Sequence, residues 1–193
     1  MATGDGSAVC AVDGIGRSHF ALRLESSRRK KSGEETDIHP KPEESFDDVI
    51  RAAGGLVWRD APDGKGKQIA IIRRSRYAGE GWTLPKGKVK AKDKTWKAAA
   101  EREVREETGC RVRVGDFAGC YGYTVRGKPK VVLYWNMNLI GEPDFRKSKE
   151  VDEVRWVTAR EALKKLHYPS ERALLRGSIQ ETQGRAARRS STR

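Results

Sequence analysis

Ala100-Glu101-Arg102-Glu103-Val104-Arg105-Glu106-Glu107-Thr108-Gly109 is the stretch on which the reading of this chain turns. Alanine at 98, 99 and 100 favours helix and Gly109 supplies a stop, so a helix is expected from about Thr95 to the residue before that glycine. Positions three and four apart share a helix face, which brings Glu103, Glu106 and Glu107 together. Like charges at those offsets destabilise an isolated helix by about 0.2–0.5 kcal/mol per pair. Acids near a helix C-terminus also oppose its dipole. Two readings account for such a face. Either Arg102 and Arg105 neutralise a solvated acidic surface, or the carboxylates serve a hard cation such as Mg²⁺, which takes several oxygen ligands.

Just upstream, Leu84-Pro85-Lys86-Gly87-Lys88 reads as a tight turn whose backbone can approach a bound ion or phosphate. Further out, 52–58 and 68–73 are strands separated by the turn Pro62-Asp63-Gly64. Downstream, 111–123 and 130–139 are two long strands joined at Arg126-Gly127-Lys128-Pro129, and 151–157 is a shorter one. Thr158 and Glu161 form a capping-box signature for a helix over 159–166, and Ser170 is expected to cap a third, short helix ending near Leu175. Strands and helices mix without strict alternation, which implies an α/β sandwich with a mixed sheet. No internal repeat is visible.

The length, 193 residues, suits one domain with tails. Residues 1–48 show no sustained period and read as a flexible leader, with a weak strand signal at 19–24. Residues 49–180 form the domain, and 181–193 read as a disordered basic tail. The formal net charge is +13, nearly all of it in the middle of the chain. Such an excess suits a polyanionic ligand or nucleic acid. The three cysteines, at 10, 110 and 120, lack metal-ligand spacing. Core packing is the expectation for Cys110 and Cys120, with a reducing setting. No apolar run approaches the roughly 20 residues of a membrane span, so a cytoplasmic protein without a membrane partner is expected.

A Gly-containing turn followed by Arg102-Glu103-Val104-Arg105-Glu106-Glu107-Thr108-Gly109-Cys110 resembles the Nudix box. That box runs glycine, five residues, glutamate, seven residues, then Arg-Glu-apolar-x-Glu-Glu-x-Gly-apolar. Its second half is complete here if Cys110 counts as the apolar position. The first half departs: counting forward from Gly87 puts Asp93 at the acid, while counting back from Arg102 puts Lys94 there, because the loop is one residue longer. The order of surrounding elements also resembles the family, so the likeness covers roughly residues 49–175.

The resemblance implies a Nudix-like α/β/α sandwich and a hydrolase acting on phosphoanhydrides. It implies that Glu103, Glu106 and Glu107 hold Mg²⁺ (Mn²⁺ being the other suitable ion), together with the Gly87 carbonyl. Arg102 would pair with the carboxylates. Glu150 is expected as general base or extra ligand, with Asp152 and Glu153 as rivals. Lys86 and Lys88 are expected to contact phosphate, with Arg74, Arg73 and Arg76 to assist; Tyr168, Trp82 and Tyr134 could stack on a base, but packing at the edge of the core is the expectation for each.

Within the family the turn and the Tyr168-Pro169 segment resemble the dinucleoside polyphosphate hydrolases, so a nucleoside polyphosphate is the expected partner. An 8-oxo-dGTP-type diphosphatase of the MutT-like kind and a diphosphoinositol polyphosphate phosphohydrolase are the alternatives. A non-catalytic basic RNA-binding module would explain the charge but not the carboxylate set. The oligomeric state is open.

Overall fold

The computed structural model describes residues 8–9, 49–75 and 81–190, with side-chain surroundings for 49–75 and 81–181. The strands are β1 (Ala8–Val9), β2 (Ile50–Asp60), β3 (Lys67–Arg74), β4 (Trp82–Thr83), β5 (Lys86–Lys88), β6 (Arg111–Val125), β7 (Lys128–Ile140) and β8 (Val151–Thr158). The helices are α1 (Trp96–Thr108), α2 (Ala159–Lys165) and α3 (Pro169–Ser190).

One mixed sheet carries the order β1-β6-β7-β2-β3-β4, with β5 on β2 and β8 on β3. The β2–β7 pair is parallel and the others are antiparallel. Strand β2 is the hinge of this arrangement, because its first half pairs with β5 and its last residues with β3. Alternation along β2 assigns its side chains to two cores. Ala52 and Leu56 pack with Ala162, Leu166, Leu174 and Leu175 of α2 and α3 and the loop between them, whereas Ala53 and Val57 pack with Ala99, Ala100 and Val104 of α1. Helices therefore cover both faces, giving the expected α/β/α sandwich with a mixed sheet.

The ends of α1 follow from local chemistry. The Thr95 hydroxyl accepts the Ala98 N–H, and Gly109 adopts the left-handed conformation at φ 68° that terminates the helix. The capping box at Thr158 and Glu161 is formed as expected. The hairpin between β6 and β7 turns at Arg126 and Gly127, both at positive φ, as a two-residue primed turn requires.

Three expectations are corrected. Helix α3 starts at Pro169, so Ser170 lies inside its first turn, and it does not stop near Leu175. It continues to Ser190, through most of the stretch read as a disordered tail at 181–193, because Glu181, Gln183, Arg185, Ala186 and Ala187 are all good helix formers. Cys120 takes part in a disulfide rather than only packing, while Cys110 is a free, buried thiol. The possible strand at 19–24 and Cys10 lie outside the described residues. Among the described residues no helix is long and apolar enough to cross a membrane.

Candidate active site

The site begins where β5 lies along β2. Backbone pairing of Ala52, Ala53 and Gly54 with Lys88, Gly87 and Lys86 lays the turn across the N-terminal half of β2. Gly54 permits this approach, since a Cβ there would stand 2.3 Å from the Pro85 carbonyl oxygen. On its other side the turn meets α1. A Cβ at Gly87 would lie 2.1 Å from a Glu103 carboxylate oxygen. One residue earlier, the Lys86 N–H donates to Glu107 Oε2 at 2.7 Å. The Gly-containing turn and the carboxylate face are thus in direct contact.

Glu103 and Glu107 are buried, and Glu106 is partly open to solvent. Burial pushes the Glu107 carboxyl up to about 7, against the pull of Arg74 and Lys86. Arg102 organises the rest. Its Nε and Nη2 donate to the two Asp93 oxygens at 2.8 and 2.7 Å, and its Nη1 donates to Glu103 at 2.6 Å and Glu106 at 3.0 Å. Nη2 also reaches the Lys88 carbonyl at 3.1 Å. The two ways of counting the acid before the helix are decided by this geometry: Asp93, not Lys94, meets the arginine. The paired guanidinium holds the Asp93 carboxyl well below the usual carboxylate range. Lys90 Nζ stands 3.3 Å from Glu106 and 3.9 Å from Glu103.

The Glu103 carboxylate fills the space a Cβ at Gly87 would take, and Glu106 and Glu107 follow three and four residues on along the same helix, so the donors on offer here are hard oxygens. That chemistry fits a divalent cation of the Mg²⁺ or Mn²⁺ type. Among the described residues no three acid, His or Cys side chains are already gathered as a metal cluster. Arg102 and Lys90 instead meet the charge of Glu103 and Glu106.

The remaining candidates separate. Arg74 reaches Glu107 at 3.5 Å, and its buried Nε has no hydrogen-bond partner among the described residues. The Ser75 N–H donates to the Glu150 carbonyl at 3.0 Å and the Ser75 hydroxyl to the Lys149 carbonyl at 2.6 Å, which ties the loop before β8 to the end of β3. Among the three acids there, Asp152 pairs with Lys147 and Glu153 with Arg73 and Arg155. The exposed Glu150 carboxylate has no ion pair among the described residues. Lys88 is exposed at the end of β5. Lys86 is not: its ammonium is buried 3.0 Å from Glu171 and 2.8 Å from the Thr83 hydroxyl, so it is no free phosphate hand. Tyr168 is exposed, with Lys86 Nζ 5.9 Å from its ring. Tyr134 is fully buried and cannot stack on a base, and Trp82 packs on the core with Arg155 over its ring. Arg73 is held by Glu153, and Arg76 lies outside the described residues.

Two groups escaped the sequence reading. Lys130 is half-buried, 5.5 Å from the Tyr123 ring, and burial together with Lys86, Arg74 and Lys88 lowers its ammonium to about 8. Its signal was the period of β7: Lys130 shares a face with the buried Val132 and Tyr134. Glu171 is completely buried, three and four residues before the buried Leu174 and Leu175, a helical spacing that marks it as inward-facing.

Comparison with known proteins points to one family. A family model described as NUDIX domain matches residues 50–177. The chain is 37% identical over 135 residues to an 8-oxo-(d)GTP phosphatase of Mycolicibacterium smegmatis, covering 66% of this chain but 41% of that protein. It is 31% identical over 132 residues to an asymmetrical bis(5'-nucleosyl)-tetraphosphatase of Caenorhabditis elegans, covering 66% of this chain and 93% of the relative. Among solved structures, a C. elegans Ap4A hydrolase binary complex aligns with a TM-score of 0.62 and 30% identity, covering 70% of this chain and 99% of that one. The chain thus spans less than half of the mycobacterial relative and nearly all of the nematode ones.

Proposed function

The chain belongs to the NUDIX domain family, and from that premise we propose that it is a divalent-metal-dependent pyrophosphohydrolase cleaving a phosphoanhydride bond in a nucleoside polyphosphate. The observation that carries this reading is the contact of the turn with α1, where Lys86 donates its N–H to Glu107 and Gly87 abuts Glu103. Glu103, Glu106, Glu107 and the Gly87 carbonyl would hold the ion, with Mg²⁺ as the physiological choice. When bound, it supplies charge neutralisation of the polyphosphate and a more acidic water. The chain's own groups do the rest. Asp93 and Arg102 hold the carboxylate face in register. Arg74, Lys88 and Lys130 bind phosphate oxygens. Glu150 takes the proton of the attacking water, and Tyr168 with Tyr123 borders the organic end of the substrate. Catalysis then rests on positioning and charge stabilisation.

A dinucleoside polyphosphate is the substrate we favour, because the likeness to the nematode tetraphosphatase runs over nearly its whole length. An oxidised nucleoside triphosphate is the second reading, supported by the higher identity to the mycobacterial phosphatase. The test is a panel with Mg²⁺: diadenosine tetraphosphate, 8-oxo-dGTP, ADP-ribose and a diphosphoinositol polyphosphate. The highest kcat/KM is expected for diadenosine tetraphosphate. A preference for 8-oxo-dGTP would select the second reading, and no turnover of any member would remove both.

A further inference from the structure

Glu171 lies on the opposite side of the turn from the carboxylate face, and the chemistry above makes no use of it. Its side chain is fully buried, yet both oxygens are engaged. Oε2 accepts the Leu84 N–H at 3.0 Å. Oε1 accepts the Thr83 hydroxyl at 2.5 Å, faces the Lys86 ammonium at 3.0 Å and accepts the Tyr121 hydroxyl at 3.2 Å, which in turn meets Tyr134 at 3.1 Å. Three of these four direct partners, Thr83, Leu84 and Lys86, belong to one short segment ending at Gly87. Lys86 is therefore held twice, by its ammonium to Glu171 and by its backbone N–H to Glu107.

We propose that Glu171 is a positioning residue for the reaction, which acts through Leu84 and Lys86 to fix where the Gly87 carbonyl and the Lys86 N–H stand against Glu103 and Glu107. This rests on the pyrophosphohydrolase reading of the same site. A buried ion pair is a poor source of net stability but defines one arrangement of the groups around it. Here the arrangement defined is that of the backbone the donor set requires, and small misplacements of such groups cost about a hundredfold in rate. Glu171 also withdraws Lys86 from solvent, so contact with substrate phosphate falls to other cations such as Lys88, Arg74 and Lys130.

The experiment uses the full chain and Glu171→Gln, which keeps the shape and removes the charge. We would measure thermal unfolding, kcat and KM, the Mg²⁺ concentration for half-maximal rate, and Mn²⁺ binding by electron paramagnetic resonance. The expected result is a cooperatively folded protein with kcat down about tenfold or more, KM within about twofold, and Mn²⁺ bound about fivefold more weakly. Thr83→Val is the milder probe should that variant fail to fold, and a smaller shift of the same signs is expected. Tyr121→Phe removes a contact from outside the turn and should lower the unfolding temperature while leaving kcat and Mn²⁺ affinity unchanged. A lower unfolding temperature with unchanged kcat and Mn²⁺ affinity in both Glu171→Gln and Thr83→Val would overturn the proposal. If the wild-type protein turned over no pyrophosphate, the functional reading would fail, and Mn²⁺ affinity would still judge the role of Glu171.

Discussion

Helices α1 and α3 both press acidic side chains against the segment 83–88, and they treat those acids in opposite ways. From α3 comes one carboxylate, wholly buried, with hydrogen bonds or an ion pair to four neighbours. From α1 come Glu103 and Glu107, on one face with the more exposed Glu106, and Glu107 is buried with a single backbone donor and a distant arginine. A buried carboxylate is tolerated when its lone pairs are used. Glu171 meets that condition, and Glu107 meets it only in part, which is why burial moves its proton affinity so far. The difference teaches where a ligand belongs: on the side whose charge the protein leaves partly unanswered.

The comparison can be broken first at Glu107. Glu107→Gln should lower turnover by about 10³-fold, while unfolding of the metal-free protein shows equal or greater stability, because a poorly solvated charge has gone. The mirror change, Glu171→Ala, should cost about 3 kcal/mol or more in denaturant unfolding, since it strands the Lys86 ammonium in the core. Equal stability losses for the two variants would erase the distinction between the helices.

Proton linkage sharpens it. The folded Glu107 carboxyl is raised from 4.5 to about 7, so the fold favours its protonated form. Its contribution is therefore greatest below pH 4.5 and is lost as pH rises from there through about 7, by up to about 3 kcal/mol in metal-free protein. Asp93 has the opposite sign: its folded carboxyl is depressed by Arg102, so its contribution is present above the ordinary carboxylate range and lost as pH falls. Chemical denaturation across pH 4.5–7.5 in chelator should show the Glu107 decline in wild type, and Glu107→Gln should flatten it. The smallest effect is expected at Thr95→Ala, which removes the α1 cap and should cost about 1 kcal/mol with kcat unchanged.

Legibility followed the range of the interaction involved. The ends of α1 were readable because Thr95 and Gly109 act on backbone groups a few residues away. The capping box at Thr158 was readable for the same reason. The acid that meets Arg102 was not, since one extra loop residue leaves two counts open and only the folded loop brings Asp93 to the guanidinium. Lys86 looked like a phosphate contact because it adjoins Gly87, but its exposure is decided by α3, more than eighty positions away. Glu171 carries a helical spacing to Leu174 and Leu175 that turns it inward, but its partners Thr83, Leu84 and Lys86 lie far away in sequence and only the fold brings them to it. The length of α3 was missed because an arginine-rich composition reads equally as tail or as helix.

The central claim, that the α1 carboxylates beside the Gly87 turn are a metal-dependent hydrolytic centre, is tested most directly by one comparison. Turnover of diadenosine tetraphosphate would be followed against Mg²⁺ concentration for the wild-type chain and for Glu106→Gln, a partly exposed position whose amide keeps the shape and loses the charge. The account predicts Mg²⁺-dependent cleavage by the wild type and a loss of about a hundredfold or more in the variant, with unfolding unchanged. Equal turnover by the two proteins, or cleavage indifferent to Mg²⁺, would contradict it.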